Sequence, residues 1–276
     1  MELVVVGAGR LGRSLAVALT AAGHRADLAS GREWQTNLVG RLRSLDPDSI
    51  VVLSVPDPVV ADLAAGIAEM TGVAREVAVV HVSGSLPLAA LGAAAAAGHP
   101  VGSLHPFQSF PAQRPPHAFK GSLIGVDAST VELAVTLTGI ARDLGGRPRA
   151  VTDEQRSLYH SAAVLSANLM VALADVSIRV LGKAGWSAED GLAAVVPLMR
   201  GVLDNLEAAG TADALIGPIR RGDAETVRRH LEALEGSGVA EAAQVYRILG
   251  LSALRLALES GLDPVQGELI KEALTG

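Results

Sequence analysis

The chain of 276 residues has no cysteine. That excludes a disulfide framework, a cysteine nucleophile and a cysteine-ligated zinc or iron–sulfur centre, and no metal site is expected. Aromatic residues are only 3% of the chain, which disfavours base-stacking platforms. A basic excess is also missing: 23 Lys and Arg against 29 Asp and Glu give a net charge of −6. Phosphate neutralisation needs the opposite sign, so nucleic acid is not an expected partner. Long apolar runs are lacking too. The alanine-rich tract Leu88–Gly98 falls well short of the ~20 residues a bilayer demands, so no membrane span is expected. Met1-Glu2-Leu3 carries no basic n-region and runs straight into a structural motif, unlike a signal peptide. The expected location is cytoplasmic. What the chain does have is apolar mass, with 49% hydrophobic residues, enough for one large or two modest domains.

The first half alternates short β-branched runs with helical stretches. Strand-like runs fall at 2–6, 25–29, 49–55, 76–82 and 122–126; helical periodicity falls at 11–22 and 59–71. Strands spaced by such helices indicate βαβ units and a parallel sheet. From about Thr152 the β-branched runs stop. One long helix is expected over 152–181, with others at 188–209, 223–234, 239–260 and 264–274. The expected division is an α/β domain, 1–150, followed by an all-α domain, 151–276.

Gly7-Ala8-Gly9-Arg10-Leu11-Gly12 fits G-x-G-x-x-G directly after a strand and at the start of a helix, the context that gives the pattern weight. In such a turn the first glycine allows the tight bend, the second admits a pyrophosphate, and the third packs helix on strand. The helix N-terminus offers N–H groups and partial positive charge. A dinucleotide is the expected ligand. An NAD(H) site usually closes its second strand with an acid on the ribose 2′-hydroxyl. Here the strand runs into Leu28-Ala29-Ser30-Gly31-Arg32, with Asp27 inside it. Ser30 and Arg32 favour NADP(H) over NAD(H), with Arg32 on the 2′-phosphate. Ser54, Val55 and Pro56 end the third strand and are candidate walls for the ribose and nicotinamide; Asp57 after them suits a helix cap.

Three polar islands follow. His81-Val82-Ser83-Gly84-Ser85 ends another strand, and Ser83 reads either as a ligand donor or as a turn serine. Then comes Gly102–Pro111, with His105 in it. All three phenylalanines lie between Phe107 and Phe119, which points either to a shaped loop lining a pocket or to rings plugging a gap. His105 reads either as a substrate or proton-transfer group or as structural. On the long helix His160, Val164 and Asn168 are spaced i, i+4, i+8 and share a face; burying such a histidine and amide needs partners, which a catalytic role would supply. In Gly217–Asp223, Arg221 or Arg220 suits a substrate carboxylate, and Asp223 a helix cap.

Taken together, the glycine turn, His81–Gly84, Leu104–Phe110, Tyr159–Asn168 and Gly217–Asp223 resemble the Rossmann-like oxidoreductases that carry a C-terminal domain of unknown function. That group is similar in plan to pyrroline-5-carboxylate reductase, ketopantoate reductase and the 6-phosphogluconate and 3-hydroxyacid dehydrogenases. The resemblance implies an N-terminal Rossmann domain binding NAD(P), an all-α C-terminal domain that dimerises, and a small keto or imino acid reduced in a cleft between them. In the hydroxyacid relatives a lysine and an asparagine on the first interdomain helix serve catalysis. Here the region offers His160 and Asn168 but no lysine, and Lys183 follows only about six turns on. The expected roles are proton donation or orientation by His160, carbonyl binding by Asn168, carboxylate binding by Arg221, and a water held by His105 as an alternative donor. A non-catalytic dinucleotide sensor and a deazaflavin-dependent reductase remain as alternatives, since fold does not settle function. The Ala/Leu/Val-rich helices of the second half suggest a homodimer formed through them.

Overall fold

The structure is a computed structural model that describes residues 1–30 and 38–276. The chain forms two compact units, Met1–Ala167 and Asn168–Gly276.

In the first unit a seven-stranded sheet is built from β1 (Glu2–Val6), β2 (Arg25–Ala29), β3 (Ile50–Leu53), β4 (Ala78–His81), β5 (Val101–Pro106), β6 (Leu123–Ala128) and β7 (Arg147–Ala150). Its order is β2-β1-β3-β4-β5-β6-β7, and every pair is parallel except β5 with β6. The helices are α1 (Arg10–Ala21), α2 (Val39–Arg43), α3 (Asp57–Glu69), α4 (Gly92–Ala96), α5 (Val131–Asp143) and α6 (Asp153–Ser166). The apolar runs of the central strands are continuous because the sheet is buried on both faces. Successive side chains alternate between the faces. Leu3, Val5, Ile50, Val52 and Val80 join a core with Leu15 and Leu19 of α1 and Leu137 and Ile140 of α5. Val4, Val6, Val51, Leu53 and Val79 join another with Leu42 of α2 and Val60 and Ile67 of α3. The chain leaves β1 toward β2 on one side and returns to β3 on the other. The carboxyl ends of β1 and β3 therefore flank the switch point where ligands bind in open α/β sheets.

The sequence reading did not anticipate two strands. The expected loop at Gly102–Pro111 begins as β5, its Gly102, Ser103 and Leu104 buried. Arg147-Pro148-Arg149, read as the domain boundary, is the edge strand β7, paired only with β6; an edge tolerates a proline that cannot donate to the ladder. The compact units divide at Ala167/Asn168, with Arg156 of α6 in the first of them, buried against Ser103 of β5 and Asp127 of β6.

The long helix expected over 152–181 is interrupted. α6 opens with a capping box, Thr152 with Gln155, and closes at its C-cap, Ala167. α7 (Asn168–Lys183) starts anew. The rest of the second unit is α8 (Ala188–Ala214), α9 (Pro218–Arg221), α10 (Ala224–Gly236), α11 (Ala242–Glu259) and α12 (Pro264–Thr275). Their core is Val227, Leu231, Leu254, Ala257, Ile270 and Leu274. α7 buries no residue, and α8 only Gly191 and Val195. By length and composition the 31-residue stretch Asp153–Lys183 is apolar enough to cross a bilayer, a segment the sequence reading did not anticipate; the ion pairs of the buried Arg156 lie within it.

Candidate active site

The glycine turn sits at the switch point. Gly7 has φ of +119°, a backbone state that side chains rarely adopt, and a Cβ there would stand 2.1 Å from the Ser54 carbonyl oxygen. Its N–H donates to the Ala29 carbonyl (2.8 Å), while the Ser54 N–H donates to Val6 (2.8 Å). A Cβ on Gly12 would strike the Gly7 carbonyl oxygen, so helix α1 lies directly on the turn. Around Gly9 there is nothing within 4 Å of the position a Cβ would take. Gly9 caps α1 without a side-chain hydrogen bond, and no acidic residue stands in the first turn. The leading N–H groups of α1, near Arg10 and Leu11, therefore have no side-chain acceptor capping them and carry the positive end of the helix dipole. Ser54 and Val55 are half-buried beside Gly7, and Pro56 is exposed.

A second cluster forms at the carboxyl ends of β4 and β5. β4 ends at His81, in register with Leu53 of β3 and Ser103 of β5, and His105 lies two residues further along β5. His81 is fully buried; its Nδ1 accepts the Ser83 N–H at 3.2 Å. Ser83 Oγ in turn accepts from the N–H groups of Ser85 (3.2 Å) and Leu86 (3.1 Å), as a turn serine does. Ser85 Oγ donates to Asp57 Oδ2 at 2.6 Å, tying this loop to the start of α3. Gly84 has no side chain because two imidazoles occupy the space: a Cβ would meet His160 Nδ1 at 2.5 Å and His105 Nε2 at 2.7 Å. His105 Nδ1 lies 2.9 Å from the Tyr159 hydroxyl, and the His105 and His160 rings meet edge-on with centroids 5.9 Å apart. His160 Nδ1 is buried without a hydrogen-bond partner.

Burial, then the charges of His160 and Arg156, push the His105 pKa down to about 4. Burial followed by Arg156 lowers His81 to about 4 as well. Burial raises the Tyr159 hydroxyl to about 12. At neutral pH His81 and His105 are thus uncharged rings, and Tyr159 keeps its proton. Among the described residues no group of three or more His, Asp or Glu side chains could hold a metal ion.

Beneath the cluster Arg156 is 2% exposed. It donates to Ser103 Oγ (3.0 Å), Asp127 Oδ2 (3.1 Å) and Asp153 Oδ1 (3.3 Å), and Asp153 Oδ1 also accepts the Leu88 N–H at 3.1 Å. Burial raises the Asp127 pKa, with Arg156 opposing. A buried guanidinium is tolerable only when its donors are matched in this way. Sequence reading named neither Arg156 nor Tyr159 as a site residue. The signal for Tyr159 was its place beside His160; Arg156 had none, because Ser103 and Asp127 are remote in sequence.

Of the expected site residues, the first unit brings His105, His160 and Ser83 together around Gly84, and Gly7, Gly9, Gly12, Ser54 and Val55 around the turn. Phe119 is fully buried in the core, with Phe110 packed on it at a centroid distance of 5.2 Å, while Phe107 packs on Tyr159 at 5.2 Å; the aromatic segment both plugs and lines. Ser30 follows β2 and is half-buried; Arg32 lies outside the described residues. Asp27 is mid-strand and paired with Arg41. In the second unit Asn168 begins α7. Arg221 ends α9 exposed, Arg220 is engaged by the Ser260 carbonyl at 3.0 Å, and Asp223 caps α10 through the Thr226 N–H.

Residues 122–253 match a family described as a domain of unknown function, DUF2520. No curated protein matches the sequence. Among solved structures, a Bacteroides fragilis protein provisionally described as an NADP oxidoreductase is similar at 25% identity and a TM-score of 0.67, over 93% of this chain and 98% of that one. A Thermotoga maritima protein is similar at 22% identity and a TM-score of 0.67, over 93% and 98%. Plasmodium falciparum pyrroline carboxylate reductase, solved with NADP bound, is similar at 11% identity and a TM-score of 0.61, over 100% and 98%. The architecture is a mostly parallel Rossmann-like sheet followed by a helical C-terminal part.

Proposed function

We propose that this chain, which carries the DUF2520 domain over residues 122–253 behind a Rossmann-like N-terminal region, is an NADP(H)-dependent oxidoreductase that reduces a small keto or imino acid. The observation that carries this reading is the uncapped N-terminus of α1 at Gly9, open to at least 4 Å and seated against Ser54 at the switch point. Backbone N–H groups without protein partners at a helix N-terminus bind a diphosphate. The chemistry such a cofactor supplies when bound is hydride transfer. The Bacteroides and Plasmodium neighbours, both described with NADP, support that choice of dinucleotide.

This chain's own residues would then divide the work. Gly7, Gly9, Arg10, Leu11 and Gly12 hold the diphosphate, and Ser54, Val55 and Pro56 flank the nucleoside end. Ser30 and Arg32 take the 2′-phosphate, because β2 ends without an acid and Asp27 is committed to Arg41. His105 and His160 supply the polar atoms that meet the reacting carbonyl or imine, within a site where Ser83 holds the turn. Asn168 and Arg221 are assigned to the substrate's carbonyl and carboxylate. The protein acts in the cytoplasm as a homodimer through its C-terminal helices, a reading supported by the unburied faces of α7 and α8.

The test is direct. NADPH binding is measured by fluorescence, followed by a screen of small keto and imino acids for NADPH oxidation. A Cβ at Gly9 meets no protein atom within 4 Å and aspartate is a favoured N-cap, so Gly9→Asp abolishes NADPH binding without lowering the melting temperature. Ser30→Asp or Arg32→Ala weakens NADPH relative to NADH by about 10–100-fold, the worth of a charge-assisted contact. Unchanged NADPH binding in Gly9→Asp refutes the cofactor placement. Tight binding without turnover over the whole panel replaces the reductase with a dinucleotide sensor.

A further inference from the structure

We propose that Tyr159 and His105 form a proton relay, in which the Tyr159 hydroxyl holds His105 in its Nε2–H form and replaces the proton that Nε2 gives to the substrate. The proposal rests on the reductase reading above.

The geometry is that of a two-ended ring. At one end His105 Nδ1 and the Tyr159 hydroxyl are 2.9 Å apart, and the rings meet edge-on at 5.4 Å. Among the described residues the hydroxyl also reaches the carbonyl of His105 itself, at 3.3 Å, and hydrogen-bonds with the Gly125 backbone. Tyr159 is held there from both sides. Gly125 of β6, opposite His105 in the ladder, leaves room for it, since a Cβ would stand 3.0 Å from the hydroxyl; Phe107 packs on the ring. At the other end Nε2 points to Gly84, where His160 Nδ1 arrives as well. That nitrogen is buried and unpartnered, which is costly unless a ligand satisfies it. The reacting oxygen or nitrogen of a substrate provides such a partner.

The groups facing His105 are His160, Arg156, His81 and Asp57. Burial together with the three basic groups keeps the imidazole uncharged at neutral pH, so an imidazolium is not the working donor. A neutral imidazole releases Nε2–H readily only if Nδ1 gains a proton in the same event. Tyr159 is the hydroxyl placed to supply it. For a carbonyl substrate, a reduced nicotinamide would supply the hydride that forms the new C–H bond as the C=O π bond breaks. The oxygen takes the proton from Nε2, and Tyr159 passes its proton to Nδ1. The phenolate that remains is held by Nδ1–H; once the product leaves, Nε2 takes a proton from solvent and Nδ1 returns its own to the phenolate, which restores the Nε2–H form. The product is an alcohol, the nicotinamide is oxidised, and His105 ends neutral. Tyr159 acts through His105 and is a positioning residue.

The chain has only two tyrosines, which makes the test specific. In a Tyr246→Phe background, 3,5-difluorotyrosine is incorporated, so that Tyr159 alone carries the lowered phenol pKa. The readouts are the pH profile of kcat, 19F NMR of the phenol, and 15N NMR of His105. The relay predicts that the alkaline limb of kcat moves to lower pH. His105 15N shows the Nε2–H tautomer in the unmodified protein and changes as the fluorophenol titrates. Tyr159→Phe lowers kcat about 10–100-fold, as loss of an acid–base group does, with NADPH binding unchanged. The relay is overturned by an Nδ1–H tautomer, by 15N shifts blind to the phenol's titration, or by an alkaline limb that stays in place. Coupled titration with no turnover of any carbonyl or imine overturns the reductase reading beneath it, and the relay's function with it.

Discussion

Replacing Gly84 by alanine is the sharpest perturbation of this site. The added Cβ would lie 2.5 Å from His160 Nδ1 and 2.7 Å from His105 Nε2, whereas ordinary contact begins at 3.4 Å. Both imidazoles must retreat, or the loop after β4 must, by about 0.7–0.9 Å, and a displacement of ~1 Å at reacting groups can cost ~10²-fold in rate. His105 cannot withdraw freely, because its far nitrogen is held by Tyr159 at 2.9 Å. Overpacking of this kind also costs about 1–3 kcal/mol of stability, which a thermal melt reads separately. The glycine turn is untouched: Gly7 and Gly12 make their close approaches to Ser54 and to Gly7, not to Gly84. Gly84→Ala is therefore expected to keep its NADPH affinity and lose about two orders of magnitude in kcat, measured by single-turnover NADPH oxidation. A folded Gly84→Ala protein with wild-type kcat refutes the claim that the two histidines act at this point.

Acid sensitivity follows from the same cluster. His81 and His105 titrate near 4 in the folded protein against 6.5 unfolded, so the unfolded chain binds more protons between those values. Stability is full above about pH 6.5 and falls as pH drops toward 4, by up to about 3 kcal/mol per histidine; urea midpoints that stay flat from pH 7 to 5 would contradict this, and His81→Gln should flatten the curve in part. Arg156→Met leaves the partly buried Asp127 without its cation and is expected to cost about 1–3 kcal/mol, with Asp127→Asn restoring part of the loss in the double variant, read by denaturant unfolding. Val171 and Leu198 are 69% and 70% exposed on α7 and α8, more apolar surface than a lone protomer usually shows. Val171→Asp with Leu198→Glu is expected to convert a dimer to monomer in sedimentation velocity; an unchanged sedimentation coefficient would remove those helices from the interface.

Local periodicity carried most of the fold. β1, β3 and β4 were legible because a strand buried on both faces is apolar at every position, and α10 to α12 because their caps and glycine stops stand in the sequence, Asp223 before α10 and Asp263 before α12. β5 and β7 were not. β5 carries Gly, Ser, His and Pro, since its neighbour β6 and the polar cluster decide what it must accommodate. β7 has two arginines and a proline, residues that only an edge position tolerates. The end of α6 at Ala167 has no breaker at all: Leu165-Ser166-Ala167-Asn168 is a sequence a helix accepts.

The site divides along the same line. The glycine turn could be read because its three positions answer to one local geometry. The imidazole cluster was half read: His105 and His160 were visible as polar residues in apolar surroundings, but nothing local says that they meet, since one lies on a strand and the other on a helix. What joins them is Gly84, a glycine whose φ is ordinary and whose only necessity is the space it leaves. Arg156 was invisible for a related reason. Two residues after the Asp153-Glu154 helix start, a charged side chain reads as solvent-facing. It is instead the group that binds α6 to β5 and β6, and so fixes where Tyr159 and His160, three and four residues on, present their polar atoms. A buried charge whose partners are remote in sequence makes the placement of the reacting groups a property of the folded sheet, which is why substitution at Arg156 should disturb Tyr159 and His160 together.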